Sequence, residues 1–281
     1  MTVSNDILVI IVLYKQQLSE SFSYKSLLKN VTSLNTKIDL YVYDNSPQEF
    51  EQGVFPLSTE KFNIKYERNI SNAGVSLAYN KGAEYARSLG KKWLLLFDQD
   101  TDIPKDYLSV LLQNINLFPQ EHIFVPRLFD NGIQLSPCKY YFARGFPYKK
   151  EQVSGLHSIE KKNLLNSCLC VRLDVFLQLG GYSENVPLYY SDFVFIDKYR
   201  KYFKTFVLID VSVQHKMAAI STNTEQMVKT FELFCIGAKY AGKAQQKYKF
   251  YYFIYSLLRT FLLMFRYKKT VFFTIFIRNF L

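Results

Sequence analysis

The chain is poor in the residues that mark fibrous, disulfide-rich and low-complexity proteins. Its 281 residues include only 11 Gly, 8 Pro and 4 Cys. So few glycines and prolines exclude a fibrous or low-complexity protein, and a content of 49% hydrophobic and 17% aromatic residues excludes a disordered one. The length suits one large α/β domain or two small ones.

Several familiar motifs are also missing. The four cysteines (Cys138, Cys168, Cys170 and Cys235) show no CxxC spacing, which disfavours a zinc site or a disulfide framework and predicts reduced, buried thiols in a cytosolic protein. The first 14 residues lack the basic region and the cleavage site of a signal peptide. Neither GxGxxG nor GxxxxGK[ST] occurs, which disfavours dinucleotide-dependent oxidoreductases and P-loop enzymes.

Acidic side chains are absent from the last 39 residues. Residues 243–281 carry eight Lys and Arg side chains and 13 of the 48 aromatic residues, and the last carboxylate side chain is Glu232. Since eight of the 11 excess positive charges lie here, residues 1–242 carry only +3. The pattern predicts a nearly neutral globular domain over residues 1–242 and a basic, aromatic tail over residues 243–281, and it disfavours a nucleic-acid-binding protein.

Apolar runs alternate with segments of helical periodicity in the first half of the chain. Strands are predicted at 6–14, 38–43, 62–67 and 93–97, and helices at 18–35, 74–89 and 104–117. This alternation predicts βαβ units with a mostly parallel sheet, an α/β fold that binds its ligands at the carboxyl ends of the strands. In the second half, strands are predicted at 123–128, 164–171 and 205–213 and a helix at 172–179, while 192–203 has mixed character.

Polar residues follow three of the predicted strands. They are Tyr14, the Asp44-Asn45 pair and the triplet Asp98-Gln99-Asp100. Two carboxylates at i and i+2 on the exit of a strand can share one hard divalent cation, Mn²⁺ or Mg²⁺, which also binds phosphates. The alternative is that Asp100 or Asp102 caps the helix that begins near Pro104.

Several motifs, in order along the chain, resemble those of glycosyltransferase family 2, and in particular its rhamnosyltransferase-like branch. The segment 69–82 (NISNAGVSLAYNKG) is similar to an NxGxxxAxNxG signature, and 93–101 (WLLLFDQDT) to a strand ending in DQD. Tyr14 matches the first-strand motif, Asp44-Asn45-Ser46 the second-strand motif, and Gly180-Gly181-Tyr182 a later turn. The resemblance covers residues 5–217 and implies a GT-A fold and inverting sugar transfer from a nucleotide-diphosphate donor.

The resemblance also implies roles for individual residues. Tyr14 and Asp44 hold the base and ribose, and Asn72 and Asn80 shape the nucleotide pocket, with turn or cap duty as the alternative for both asparagines. Gly74 lets the backbone approach the ligand. Asp98 and Asp100 serve the ribose, the diphosphate and the metal.

Inversion requires a general base that takes the proton of the acceptor hydroxyl. The resemblance implies Asp192 for this role, with Asp197 as a competing candidate. Ser191, Val194 and Lys198 depart from the family pattern, in which acids and an Arg stand at these positions. His215 follows a predicted strand and is a candidate third metal ligand, the alternative being a structural histidine.

The tail combines apolar and basic residues. Its run 250–265 is too short to span a bilayer as a helix and is interrupted by Arg259. On a helical wheel, Ser256, Arg259, Arg266 and Lys269 lie on one side, opposite a broad apolar surface, as in helices that lie in a membrane interface. Packing on the domain, a dimer contact and a short membrane hairpin are the alternatives.

Taken together, the residues and the resemblance predict a metal-dependent inverting glycosyltransferase. The expected donor is dTDP-rhamnose or a UDP-hexose, and the expected acceptor is a polyprenyl-diphosphate-linked glycan in bacterial surface polysaccharide (O-antigen or capsule) synthesis. The expected location is the inner face of the plasma membrane, reached by attraction of the tail to anionic lipid. The competing hypothesis is a non-catalytic glycan-binding or assembly protein that retains the fold.

Overall fold

A computed structural model of the chain describes residues 3–53, 55–215 and 223–281. The strands are β1 Ile7–Leu13, β2 Ile38–Asp44, β3 Phe62–Arg68, β4 Trp93–Asp98, β5 Thr101–Asp102, β6 Ile123–Asp130, β7 Ile133–Ser136, β8 Cys138–Tyr141, β9 Arg144–Phe146, β10 Gly155–Ser158, β11 Lys162–Asn163, β12 Leu169–Arg172 and β13 Thr205–His215. The α-helices are α1 Phe22–Ser33, α2 Gly74–Ser88, α3 Tyr107–Leu117, α4 Leu173–Gln178, α5 Ser191–Tyr202, α6 Thr224–Ala244, α7 Lys249–Tyr267 and α8 Val271–Phe280.

The main sheet has the order β10-β13-β6-β12-β4-β1-β2-β3, and the short strands β5 and β7 pair with β13 and β6. Strands β4, β1, β2 and β3 run parallel to one another, as do β13 and β6, whereas β12 is antiparallel to β4 and β6, and β10 is antiparallel to β13. A second sheet, β11-β8-β9, is antiparallel. The mostly parallel sheet that the sequence predicts is therefore confirmed.

Helices cover both faces of the main sheet, which explains the unbroken apolar runs of its central strands. Ile7, Val9 and Ile11 of β1 lie in one hydrophobic core with residues of α1 and α3, while Leu8 and Ile10 lie in a second core with residues of α2, α4 and α5. Successive strand residues point to opposite faces, so a strand buried on both sides needs apolar residues at every position.

In three segments the structure differs from the sequence prediction or decides between alternative predictions. The strand predicted at 164–171 is shorter, because β12 begins only at Leu169 and the preceding residues form a loop in which Cys168 has φ +61°. The segment of mixed character folds as helix α5. Helix α3 begins at Tyr107 after the N-cap residue Asp106, so neither Asp100 nor Asp102 caps it.

Helices α6, α7 and α8 pack against one another, and α6 also contacts α5. Their shared core contains Phe231, Cys235, Leu263 and Phe272 among others. The predicted boundary at residue 242 lies inside α6, which continues to Ala244. Among the described residues, no helix is both long enough and apolar enough to cross a membrane.

The helical-wheel prediction for the tail was wrong in one respect. Ser256 does not lie on a solvent-facing polar side, because it is fully buried together with Tyr252 and Thr260 where α7 faces the rest of the protein. Its hydroxyl is satisfied locally by donating to the carbonyl oxygen of Tyr252 at 2.9 Å. The outward face of α7 is instead apolar, and Phe265 is 89% exposed.

Candidate active site

A cavity of about 390 Å³ opens where the sequence predicted ligand binding, next to the carboxyl ends of β1 and β4. Four of the predicted nucleotide-sugar-binding residues line it: Tyr14, Asn72, Gly74 and Asp98. Its opposite wall comes from α6, with Gln226, Lys229, Thr230 and Leu233. We call this space the donor cavity.

Gln99 connects the two strand ends at the floor of the donor cavity. Its Oε1 accepts a hydrogen bond from the backbone N–H of Tyr14 at 2.7 Å, and its Nε2 donates to the carbonyl oxygen of Tyr14 at 3.2 Å. Tyr14 as a whole residue remains 42% exposed. The middle residue of the DQD triplet, which the sequence left without a role, therefore holds the backbone of Tyr14 beside the two aspartates.

Asp44 and Asn80 do not line the donor cavity. The carboxylate of Asp44 is fully buried and accepts hydrogen bonds from the backbone of Ser46 (2.9 Å), from Tyr66 (2.7 Å) and from Gln52 (3.1 Å). Its contact with a nucleotide stays a prediction, and these three groups already satisfy its oxygens.

The amide of Asn80 has a structural role in the turn that follows α4. It donates to the carbonyl oxygen of Tyr182 at 3.0 Å and accepts from the Tyr182 N–H at 2.9 Å. These contacts agree with the alternative prediction, in which Asn80 stabilises a turn.

Gly74 occupies a position that only glycine fits. Its φ is +86°, and a Cβ there would lie 2.2 Å from the carbonyl oxygen of Pro187. The backbone N–H of Val75 donates to the same oxygen at 2.8 Å. The signature glycine thus allows α2 to begin directly against the segment that leads to α5, and that contact closes one side of the donor cavity.

Asp98, Asp100 and His215 come together as a potential metal site. Each offers one ligand atom, and these atoms lie within 4.8 Å of one another. That spacing is close to what one ion requires, since ligands about 2.1 Å from Mg²⁺ are at most about 4.2 Å apart. The pairing of β5 with the end of β13 sets His215 opposite Thr101 and so beside Asp100, although more than 100 residues separate them.

The carboxylates differ in how the protein satisfies them. Asp98 accepts hydrogen bonds from the hydroxyl groups of Tyr79, at 3.0 Å, and Ser167. Oδ1 of Asp100 is buried and accepts no hydrogen bond from the described residues, and Nδ1 of His215 is 3.7 Å away. Burial and then the charge of Asp98 raise the pKa of Asp100, while His215 lowers it. An unsatisfied buried carboxylate oxygen beside a second carboxylate and an imidazole fits a divalent cation.

A second cavity, of about 520 Å³, is lined by Asp98, Asp100 and His215 together with Asp192. We call it the acceptor cavity. Asp192 lies in the first turn of α5 and is 7% exposed, and its Oδ2 accepts a hydrogen bond from Asn163 at 3.3 Å. Burial raises the pKa of Asp192 to about 7, although the backbone N–H groups of Phe193 and Asp192 and the Asn163 amide favour the charged form.

Asp197, the competing candidate, points elsewhere. Its carboxylate lies 3.6 Å from Arg200 and 4.0 Å from Lys201, and it lines neither the donor nor the acceptor cavity. It is therefore engaged in ion pairs on another side of α5.

The three departures from the family pattern near Asp192 all have contacts of their own. The hydroxyl of Ser191 accepts from Asn166 at 3.2 Å, Val194 is buried in an apolar cluster, and Lys198 donates to the carbonyl oxygen of Gly181 at 2.9 Å. The position at which the family pattern has a second acid is thus occupied by the buried, apolar Val194. Asp192 is therefore buried without that second carboxylate beside it.

Sequence reasoning missed the contribution of the C-terminal helices to both cavities. Lys229 of α6 lines the donor cavity, and Arg259 of α7 lines the acceptor cavity with its guanidinium 4.3 Å from the ring centre of Phe234. A lone basic residue inside an apolar run was the only signal for Arg259, and that signal suits a lipid-facing helix equally well.

Comparisons with known proteins identify the family and the fold. The family model for glycosyl transferase family 2 matches residues 9–149, half of the chain. A search of curated protein sequences found no significant match.

Several solved structures are similar in fold. S. aureus TarS 1–349 in complex with UDP-GlcNAc has a TM-score of 0.55 at 15% identity, covering 88% of this chain and 72% of that one. TarS 1–349 has a TM-score of 0.53 at 15% identity (83% and 64%), and a longer TarS chain 0.52 at 14% (86% and 42%). The chain thus spans less than two thirds of the length of the latter two. On the family match and the fold, the chain belongs to glycosyl transferase family 2 and has the GT-A fold that its motifs predicted.

Proposed function

We propose that the protein is an inverting glycosyltransferase that moves a sugar from a nucleotide-diphosphate donor to a hydroxyl group of an acceptor, with Asp192 as the general base. The observation that carries the proposal is that Asp192 shares one cavity with Asp98, Asp100 and His215. The aspartate pair also lines the adjoining donor cavity, so both substrates meet at this pair.

The donor cavity suits a nucleotide-sugar. Tyr14 offers an exposed aromatic face for a base, and Lys229 offers a positive charge to a diphosphate. The TarS structure with UDP-GlcNAc supports a UDP-hexose, while the DQD triplet keeps dTDP-rhamnose as the other candidate.

Asp98, Asp100 and His215 would hold the divalent cation, Mn²⁺ or Mg²⁺. A cation bound there neutralises charge that develops on the diphosphate leaving group. Ser167 and Tyr79 orient Asp98 through their hydroxyl groups, and Gln99 keeps Tyr14 beside the pair.

Asp192 is suited to take a proton at neutral pH. A carboxylate with a pKa of about 7 is a stronger base than an ordinary aspartate, and half of it is ionised at that pH. The Asn163 amide fixes Oδ2, and the backbone N–H groups at the start of α5 stabilise the carboxylate when it is charged.

The C-terminal helices suit a membrane-bound acceptor. Phe250, Leu258, Phe261, Leu262 and Phe265 of α7 are all more than half exposed, and residues 243–281 carry eight basic side chains. An exposed apolar face flanked by cations binds anionic lipid surfaces. The proposed division is therefore a catalytic domain over 1–242 and a membrane-associating segment over 243–281, peripheral on the inner face of a bacterial plasma membrane. The proposed acceptor is a polyprenyl-diphosphate-linked glycan of surface polysaccharide synthesis (O-antigen or capsule).

The test is a panel of nucleotide-sugars assayed for release of the nucleoside diphosphate, with Mn²⁺, with Mg²⁺ and with EDTA. Turnover of one donor that depends on the cation is the expected result. The departures at Ser191 and Val194 keep a non-catalytic glycan-binding protein as the second candidate. Calorimetric binding of UDP together with no turnover of any donor would favour that candidate.

A further inference from the structure

The acceptor cavity continues into a third cavity, about 340 Å³ in volume, which shares no lining residue with the donor cavity. Arg259, Tyr190 and Phe234 line both spaces, so the two are adjacent. The remaining lining residues are Arg144 of β9 and Tyr255, Leu258 and Leu262 of α7. We call this third space the arginine cleft.

Two guanidinium groups from distant parts of the chain face this cleft. Arg259 lies over Phe234, with 4.3 Å from its Cζ to the ring centre, and Arg144 lies over Tyr255 at 5.1 Å. Within the described ranges, neither has a carboxylate oxygen within 4.0 Å. Burial raises the pKa of Tyr190 between them, and the charges of both arginines act against that shift. The cleft therefore presents two positive charges without a carboxylate partner in the part of the chain that the structure describes.

The outer end of the cleft is apolar and exposed. Leu258 and Leu262 line it and are 60% and 58% exposed. They belong to the apolar face of α7 that also includes Phe261 and Phe265. From the inside outward, the order is thus a carboxylate base, then two arginines, then an aliphatic surface.

We infer that the arginine cleft binds the diphosphate of a lipid-linked acceptor, with its lipid chain on Leu258 and Leu262 and its sugar hydroxyl beside Asp192. This inference rests on the proposed function and adds to it a recognition site for the acceptor anion. Guanidinium groups bind phosphate oxygens through paired N–H donors, and an isoprenoid chain matches the aliphatic end. Because the cleft and the acceptor cavity share three lining residues, the glycan between the diphosphate and the reacting hydroxyl is short.

The test uses three sets of phosphatidylcholine vesicles. One contains farnesyl diphosphate, one contains farnesol, and one contains phosphatidylglycerol in the amount that gives the same surface charge as the farnesyl diphosphate. Saturating UDP and Mn²⁺ fill the donor cavity throughout. We expect the wild-type protein to bind the farnesyl diphosphate vesicles about ten-fold more tightly than either of the others, because charge-assisted hydrogen bonds are lost without the diphosphate. Arg144→Ala and Arg259→Gln should each remove most of this preference.

The matched control is Lys268→Ala/Lys269→Ala, which removes two exposed cations of the same tail outside the cleft. It should weaken binding to all charged vesicles and leave the preference for diphosphate intact. Arg144 is exposed, so its variant is expected to fold even if Arg259→Gln does not.

Three results would overturn the inference: equal binding of farnesol vesicles, equal binding of phosphatidylglycerol vesicles, or an undiminished preference in Arg144→Ala. Failure of the proposed function is a separate observation. It would appear as no turnover of any nucleotide-sugar by the wild-type protein in the donor panel, with Mn²⁺ or with Mg²⁺, whatever the vesicles show.

Discussion

Replacing Asp192 with Asn should make the protein more stable at alkaline pH while slowing sugar transfer by at least about 100-fold. The carboxylate is buried, and its pKa is about 7 in the folded protein against 3.8 in the unfolded chain. Each unit of difference corresponds to about 1.4 kcal/mol, so ionising this group in the folded state costs about 4 kcal/mol. An amide of nearly the same shape avoids that cost.

The sign of the pH dependence follows from the direction of the shift. Because the pKa of Asp192 is raised in the folded state, the protein has the full stability that the protonated carboxyl allows below pH 3.8. It loses this contribution as the pH rises from 3.8 to about 7 and the carboxyl ionises. Asp192→Asn should therefore be close to the wild-type stability at pH 4 and more stable by about 3 kcal/mol at pH 9, allowing about 1 kcal/mol for an altered hydrogen bond with Asn163. Urea unfolding at pH 4, 7 and 9 measures the difference.

Activity should change in the opposite direction. In the wild type, kcat/KM should rise with pH to a plateau above about 7, as the base becomes ionised. Asp192→Asn should lower kcat by about 10²- to 10⁴-fold and leave the binding of UDP unchanged. The assay is release of the nucleoside diphosphate from the preferred donor between pH 5 and 9.

Asp197→Asn is the matched control on the same helix. It removes the ion-pair partner of Arg200 and should cost roughly 1 kcal/mol of stability while retaining turnover. A stability difference between Asp192→Asn and wild type that is the same at pH 4 and pH 9 would refute the conclusion that burial raises the pKa of the Asp192 carboxyl. Full turnover in Asp192→Asn, or its loss in Asp197→Asn alone, would refute the identity of the base.

Three further predictions concern other parts of the molecule. Ser167→Ala removes a hydroxyl donor to Asp98 and should weaken Mn²⁺ binding about ten-fold in a metal titration, with UDP binding measured alongside. Gly74→Ala should lower the free energy of unfolding by at least about 3 kcal/mol because its Cβ meets Pro187, whereas Gly90→Ala, which has open space, should cost about 1 kcal/mol. Phe261→Ser/Phe265→Ser should weaken binding to phosphatidylglycerol vesicles at least ten-fold, and Leu117→Ser should not; equal loss in both would argue against α7 as the membrane face.

The sheet and its catalytic edge were predictable because their signals are local. An apolar run buried on both faces, as in β1 and β4, has few alternative structures. Tyr14, which directly follows β1, and Asp98, which ends β4, necessarily meet at one edge of a parallel sheet. Gly74 was identified by its place in the family signature, and the fold requires glycine there because its φ is +86°, whereas its approach to a ligand stays a prediction.

Other features of the site depend on contacts between residues far apart in the chain. Asp44 and Asn80 have the residue types of ligand-binding groups, yet their hydrogen-bond partners Tyr66 and Tyr182 are visible only in the folded molecule. The mixed pattern of residues 192–203 became a helix because Phe195 and Tyr199 pack into the core beside α4. A polar side chain can bind a ligand or hold the fold, and only its neighbours decide which.

The sequence by itself determined the alternation of the longer strands and helices up to residue 117, the DQD triplet at a strand end, and a charge of +3 before residue 243 against +8 from residue 243 onward. Only the tertiary structure decided that Ser256 faces inward, that Arg259 enters the acceptor cavity and that the apolar residues of α7 face outward. The physical reason is that periodicity places residues on the faces of a helix but does not say which face meets the protein. Which face of α7 is buried depends on the side chains that α6 and the loop before α5 present to it.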